Sequence, residues 1–222
     1  MIHYNNSLYF VPKYEGIVMS IHAVVFDIGE VLVHSTRGSE HKKWADRFGL
    51  QEGELYSAIS KAGGIVGVTS AATLGKVSVE ELWQRVGVLY RLNNEQVREL
   101  RQDFWAHTEF NLELAQFLRS LYPRYKTATL SNAWLDAREA MNAKYQLSNF
   151  VDLMIFSAEE GYAKPDTRLY QIALERLAVR PEEVVFLDDA TKNVDAARLL
   201  GMRAIQFKDN VQAISEVQNF LL

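Results

Sequence analysis

The stretch AVVFDIGEVLV, residues 23–33, decides how the rest of the chain is read. Ala23 to Phe26 run without a polar break into Asp27, and Ile28-Gly29-Glu30 follows. A short continuous apolar run is the pattern of a strand buried on both faces of a parallel sheet. Ligands of open α/β sheets gather beyond the carboxyl ends of the strands. Asp27 therefore stands where such a sheet does its chemistry.

Three further segments have the same form, an apolar run that ends in small or polar residues: KTATLSNA (126–133), VDLMIFSA (151–158) and EVVFLDDA (183–190). RAIQF (203–207) is a shorter fifth. Helical patterns lie between them. Asp166 caps a helix that carries Leu169, Ile172, Ala173 and Leu177 on one face. A helix after Asn193 carries Val194, Ala197 and Leu200, and Gly201 stops it. Val211, Ile214, Val217 and Leu221 mark a last helix. This alternation predicts an α/β fold, a Rossmann-like doubly wound parallel sheet.

Residues 36–110 interrupt the alternation. They contain no good strand and read as amphipathic helices: Trp44 with Phe48, Leu55 with Ile59, then Leu82, Val86 and Leu89 behind a Ser78/Glu81 capping box, then Val97, Leu100 and Phe104. Asn111 caps the helix that returns to the sheet. The expected organisation is a core of residues 19–35 and 111–222 with a helical cap, 36–110, inserted between. Residues 1–18 have no clear period and read as an extension, with Met19 a possible start. The small-residue loop 62–76 could reach the site, and Trp83 and Trp105 could meet a substrate, although core packing is the plainer reading for both tryptophans.

The 222 residues carry 24 Lys and Arg against 28 Asp and Glu, a formal net charge of −4. With no basic block, a nucleic-acid partner has no electrostatic support. No apolar run approaches the ~18 residues of a membrane span. The absence of cysteine excludes disulfides, thiolate catalysis and cysteine zinc sites, and suits a cytoplasmic protein. Nothing signals an oligomeric state.

The polar residues at the strand ends are Asp27, then Ser131 and Asn132, then Asp188 and Asp189, with Lys164 on the loop after the third strand. Each has an ordinary reading alone, as a turn residue, helix start or solvated lysine. Two adjacent carboxylates at a buried strand end repel each other and call for a cation or donors. Carboxylates from two strands suit a hard dication such as Mg²⁺. A lysine and a hydroxyl beside them can neutralise a phosphoryl group, and a carboxylate can attack it to give an acyl phosphate.

In that order the motifs FDIGEVL, LSN, KPD and FLDDATKN resemble those of the haloacid dehalogenase superfamily of aspartate-nucleophile hydrolases, in the subgroup with a C1-type cap. The resemblance spans roughly residues 22–208 and is closest to the branch of α-glucose-1-phosphate phosphatase-like proteins and the phosphatase domain of epoxide hydrolases. It implies that Asp27 is nucleophile and metal ligand, Ser131 and Asn132 bind phosphate, Lys164 pairs with nucleophile and phosphate, and Asp189, with Asp188 beside it, binds Mg²⁺. Asn193 would reach the metal through water. Gly29 replaces the family's second aspartate, so its carbonyl can still bind metal but no side chain remains to hold a proton. Glu30 and His34 are the nearest substitutes, a water or the cap the others, and His107 could line the pocket. The implied activity is Mg²⁺-dependent hydrolysis of a small phosphorylated metabolite, such as a sugar phosphate, through an aspartyl-phosphate. The alternatives are a 2-haloacid dehalogenase-type hydrolase and a catalytically weak binding or regulatory protein.

Overall fold

The computed structural model describes residues 20–35, 39–51, 53–67, 69–106 and 108–222. The readings of residues 1–18, Met19 and His107 lie outside them.

Five parallel strands form the central sheet: β1 (Ala23–Phe26), β6 (Lys126–Ser131), β7 (Leu153–Phe156), β8 (Val184–Asp188) and β9 (Arg203–Gln206). Their order is β7-β6-β1-β8-β9, which puts β1 in the middle. Every residue of β1 is buried, as its unbroken apolar run requires. Phe26 pairs with Thr129 of β6 and with Leu187 of β8. The residues one or two positions beyond these pairs, Asp27, Ser131 and Asp188, therefore emerge together along one carboxyl edge.

Alternate residues of the strands feed two hydrophobic layers. Val24, Phe26, Val185 and Leu187 pack with Leu114 and Leu118 of α5 (Leu112–Ser120), Met141 of α6 (Ala137–Tyr145) and Val217 of α10 (Asn210–Leu221). Val25, Ala128, Leu130 and Phe186 pack on the other side with Leu169 and Ala173 of α8 (Thr167–Leu177) and Val194 and Ala197 of α9 (Thr191–Leu199). Burying one such side chain is worth about 1.5–3 kcal/mol, so both faces of the sheet are paid for in full. A one-turn helix, α7 (Ser157–Glu160), follows β7.

The segment expected to form the cap holds α1 (Ser39–Phe48), α2 (Leu55–Ala62), α3 (Val79–Leu89) and α4 (Asn94–Ala106). Trp44, Leu55, Ile59, Leu82, Val86 and Leu100 form its own core. The segment is not free of strands, contrary to the sequence expectation. β3 (Ile65–Val66) and β4 (Thr69–Ser70) form a small hairpin, and β5 (Thr108–Phe110) pairs antiparallel with β2 (Val33–Ser35) as a two-stranded stalk joining cap and sheet. Two or three residues are too few to show a period.

The caps follow the sequence with two exceptions. Ser78, Asn111 and Asp166 accept hydrogen bonds from the N–H groups of Glu81, Leu114 and Arg168. The Ser78/Glu81 box is only half made, because the Glu81 carboxylate accepts from Arg85 instead. The helix expected after Asn193 begins at Thr191, which puts Asn193 in its first turn.

One cap contact comes from the core. Trp134, three residues after Ser131, is 2% exposed and sits inside the cap's hydrophobic cluster. Its ring stacks on Tyr56 at 5.3 Å and on Phe104 at 5.3 Å, and meets Trp83 and Trp105 edge-on. Two other joints lie nearby. The Ser157 hydroxyl donates to the carbonyl of Thr73 (2.8 Å), and Gly75 lies so close to α7 that a Cβ there would overlap the Ala158 carbonyl.

Candidate active site

Asp27 leaves β1 with its N–H bonded to the Leu187 carbonyl (2.8 Å), which fixes its backbone against β8. Its side chain is buried. Oδ1 accepts from the Ile28 N–H (2.6 Å), and Oδ2 lies 2.8 Å from Lys164 Nζ. The same ammonium lies 2.7 Å from Asp188 Oδ2, and its side chain is fully buried. One lysine thus serves two buried carboxylates.

The electrostatics follow from that shortage of positive charge. Burial pushes the Asp27 carboxyl up to about 7, aided by Asp188 and opposed by Lys164. Burial alone would lower Lys164, but Asp27 and Asp188 outweigh it and hold the ammonium above its ordinary value. Asp189 is also raised, first by partial burial and then by the charge of Asp188.

The two adjacent aspartates are not equivalent. Asp188 is spent: it also accepts from the Ala190 N–H (2.9 Å) and from Asn193 Nδ2 (2.9 and 3.1 Å). Asp189 is partly exposed, and among the described residues no other residue donates to its carboxylate. Asp27, Asp188 and Asp189 each place an oxygen within 4.8 Å of the others. Asn193 Oδ1 beside them is buried and without a donor. Among the described residues no N–H reaches the Gly29 carbonyl either. An all-oxygen set with unused acceptors fits a hard dication such as Mg²⁺, which prefers carboxylate, carbonyl and water oxygens.

Ser131 ends β6, and its hydroxyl bonds to no described residue. Asn132 is engaged with Lys164. Its Nδ2 donates to the Lys164 carbonyl and its Oδ1 accepts from the Lys164 N–H, both at 2.8 Å. Its side chain clamps the lysine's backbone.

The substitutes for the missing acid lie apart. His34, on β2, stacks on Phe207 at 6.1 Å and lies 3.5 Å from Asn111 Nδ2. It is not brought to the carboxylate cluster. Glu30 is exposed, at φ 54°, and its carboxylate accepts from the Ser35 N–H (3.3 Å) and approaches His34 (3.8 Å). Gly29 itself has room, since a Cβ there would meet nothing within 4 Å. Of the two cap tryptophans, Trp83 is core, while Trp105 lines a cavity of about 530 Å³ together with Glu30, His41, Tyr56, Phe104 and Thr108. The loop 62–76 packs on α7 through Thr73 and Gly75. Sequence reasoning missed Trp134 and Tyr56. A tryptophan two residues past LSN was the available signal for the first. Nothing marked Tyr56.

A five-stranded parallel sheet with helices on both faces, and a lysine–carboxylate cluster at its carboxyl edge, defines an α/β protein. Residues 21–201 match the family model described as haloacid dehalogenase-like hydrolase, and the chain belongs to that family. It is 28% identical over 218 residues to bifunctional epoxide hydrolase 2 of Sus scrofa, an alignment covering 90% of this chain and 39% of that protein. The chain thus spans well under half the length of that relative. It is 24% identical over 191 residues to D-ribitol-5-phosphate phosphatase of Bacteroides thetaiotaomicron, covering 82% of this chain and 90% of the relative. A HAD family enzyme of Bacteroides thetaiotaomicron, solved in complex with magnesium and inorganic phosphate, superposes with a TM-score of 0.70 at 17% identity over 85% of this chain and 95% of that one. That last likeness is one of fold. No helix among the described residues is long and apolar enough to cross a membrane.

Proposed function

We propose that this chain is a Mg²⁺-dependent phosphatase that hydrolyses a small phosphorylated metabolite, a sugar phosphate or similar, in the cytoplasm. The observation that carries the reading is Lys164 shared between Asp27 and Asp188, with Asp189 unspent beside them. Phosphatase relatives such as the D-ribitol-5-phosphate enzyme support it.

In this reading residues 36–110 act as the cap over a core of residues 19–35 and 111–222. Asp27 attacks phosphorus: its oxygen forms the new bond and the ester oxygen leaves, giving an aspartyl-phosphate. Lys164 and the Ser131 hydroxyl neutralise the transferred phosphoryl oxygens. Asn132 holds Lys164 in place. Asp27, Asp189 and the Gly29 carbonyl would hold Mg²⁺, with Asn193 reaching it through water and Asp188 anchoring Lys164 alongside. When bound, the cation supplies charge neutralisation at the phosphoryl group.

Purified protein assayed on a panel of sugar phosphates, other phosphometabolites and p-nitrophenyl phosphate, with Mg²⁺ and with EDTA, tests the reading. Turnover that needs Mg²⁺ and disappears in Asp27→Asn is the expected result. No turnover on any substrate, or equal turnover in Asp27→Asn, refutes it. Halide release from a 2-haloacid that survives EDTA would establish the dehalogenase alternative instead.

A further inference from the structure

Three strands of the sheet run straight into residues that the proposed chemistry uses: β1 into Asp27, β6 into Ser131 and β8 into Asp188. The edge strand β9 ends in Gln206, which has no role there. Gln206 pairs with Asp188 in the sheet, so it stands at the same carboxyl edge.

Its side chain reaches across to the loop that leaves β8. Gln206 Nε2 donates to the Asp189 carbonyl (3.2 Å) and to the Thr191 hydroxyl oxygen (3.0 Å). A carbonyl oxygen only accepts, so the nitrogen of the amide must be the atom that faces it. Gln206 is itself anchored from α10. Gln212 Nε2 donates to the Gln206 carbonyl (3.1 Å), and the Gln212 N–H donates to Asp209 at the head of that helix (2.8 Å).

What these bonds hold is the backbone of Asp189. Among the described residues no other residue donates to the Asp189 carboxylate, so its direction is set by its own φ and ψ. Both peptides that flank it are tied. The Asp188 carbonyl accepts from the Phe207 N–H (2.9 Å). The peptide from Asp189 to Ala190 is held at both ends: its N–H donates to Asp188 Oδ1 (2.9 Å), and its carbonyl accepts from Gln206. Gln206 supplies the one tie in this set that comes from a side chain of another strand. Through Thr191 it also holds the first residue of α9, the helix whose Asn193 grips Asp188.

We propose that Gln206 is a positioning residue for the cation site: its amide fixes the Asp189–Ala190 peptide and so keeps the Asp189 carboxylate beside Asp27. The inference rests on the phosphatase reading above, in which Asp189 holds Mg²⁺, and extends the site to the edge strand. A ligand whose backbone is already fixed has less freedom to lose when it binds. Residues that orient metal ligands from behind are typically worth about 10–100-fold in metal affinity or activity.

Gln206→Met keeps the length of the side chain and removes the donor. Mg²⁺ alone is the probe, read by thermal unfolding without substrate. The Mg²⁺ concentration that gives a chosen rise in Tm should increase about 10-fold or more. The concentration needed for half-maximal turnover of p-nitrophenyl phosphate should increase with it. In EDTA the variant should unfold in urea close to the parent, because only the hydrogen bonds of one partly exposed side chain are lost. Gln206→Asn keeps an amide but is one methylene too short, and should behave as Gln206→Met does. A parental Mg²⁺ response in either variant overturns the inference and leaves the phosphatase reading standing. So does a lowered urea midpoint with an unchanged Mg²⁺ response, which is what a purely structural edge residue would give. A parent protein whose Tm does not respond to Mg²⁺ removes both the inference and the reading beneath it.

Discussion

Replacing Asp27 with asparagine removes a charge that the apo fold holds at a cost. The folded carboxyl titrates at about 7 instead of 3.8, and each pH unit of difference is worth about 1.36 kcal/mol. Ionising Asp27 in the folded protein therefore costs about 4 kcal/mol relative to the unfolded chain. The sign follows from where the proton sits. Between pH 3.8 and about 7 the folded state binds more protons at this position than the unfolded state, so its contribution to stability falls as pH rises through that window and is constant above it. Asparagine does not titrate. With metal chelated, the variant should match the parent near about pH 4 and exceed it by up to about 4 kcal/mol near about pH 8. Urea unfolding in EDTA across that range, read from midpoints at constant slope, measures the gap. Mg²⁺ should narrow it, since a ligand at about 100 times its Kd adds about 2.7 kcal/mol to the state that binds it, and only the ionised Asp27 offers it a full carboxylate. A gap that does not change with pH, or a parent more stable than the variant at about pH 8, would refute the electrostatic account.

Lys164→Met leaves Asp27 and Asp188 buried without their shared cation, and should cost about 3–5 kcal/mol at neutral and higher pH and less in acid, where Asp27 takes up a proton; the same urea titration reads it. Asp189→Asn should raise the urea midpoint in EDTA at neutral pH, because partial burial and the charge of Asp188 hold that carboxyl above its ordinary value, yet abolish most of the rise in Tm that Mg²⁺ gives the parent. Trp134→Ala should cost about 3–5 kcal/mol, as expected for a buried tryptophan, and should speed limited proteolysis within residues 39–106 more than within the sheet.

The legible parts of this molecule were those whose residues carry a pattern of their own. β1, β6, β7 and β8 announced themselves because a strand covered on both faces has nowhere to put a polar side chain. The order Asp27, Ser131, Lys164, Asp188-Asp189 was visible because each element ends in the polar residues that the sheet brings to one edge. What stayed hidden depended on partners distant in sequence. The stalk strands β2 and β5 are three residues each and exist by pairing with one another. The division of labour between Asp188 and Asp189 depends on Asn193 and Lys164 reaching one carboxylate and not the other. The two bonds that tie Asn132 to the Lys164 backbone join residues 32 positions apart, which no local pattern shows.

Trp134 also sets the order in which the molecule can be made. The helices of residues 39–106 leave the ribosome well before the tryptophan that fills their centre. Until residue 134 arrives they must wait around a hole the size of an indole, with Tyr56, Phe104, Trp83 and Trp105 facing it. The sheet waits as well, because central β1 has its partners only in β6 and β8. Cap and sheet are thus completed by the same late stretch of chain. Helices grafted from a relative would inherit this dependence: the transplant would have to bring its own residue 134, although that residue belongs to the recipient.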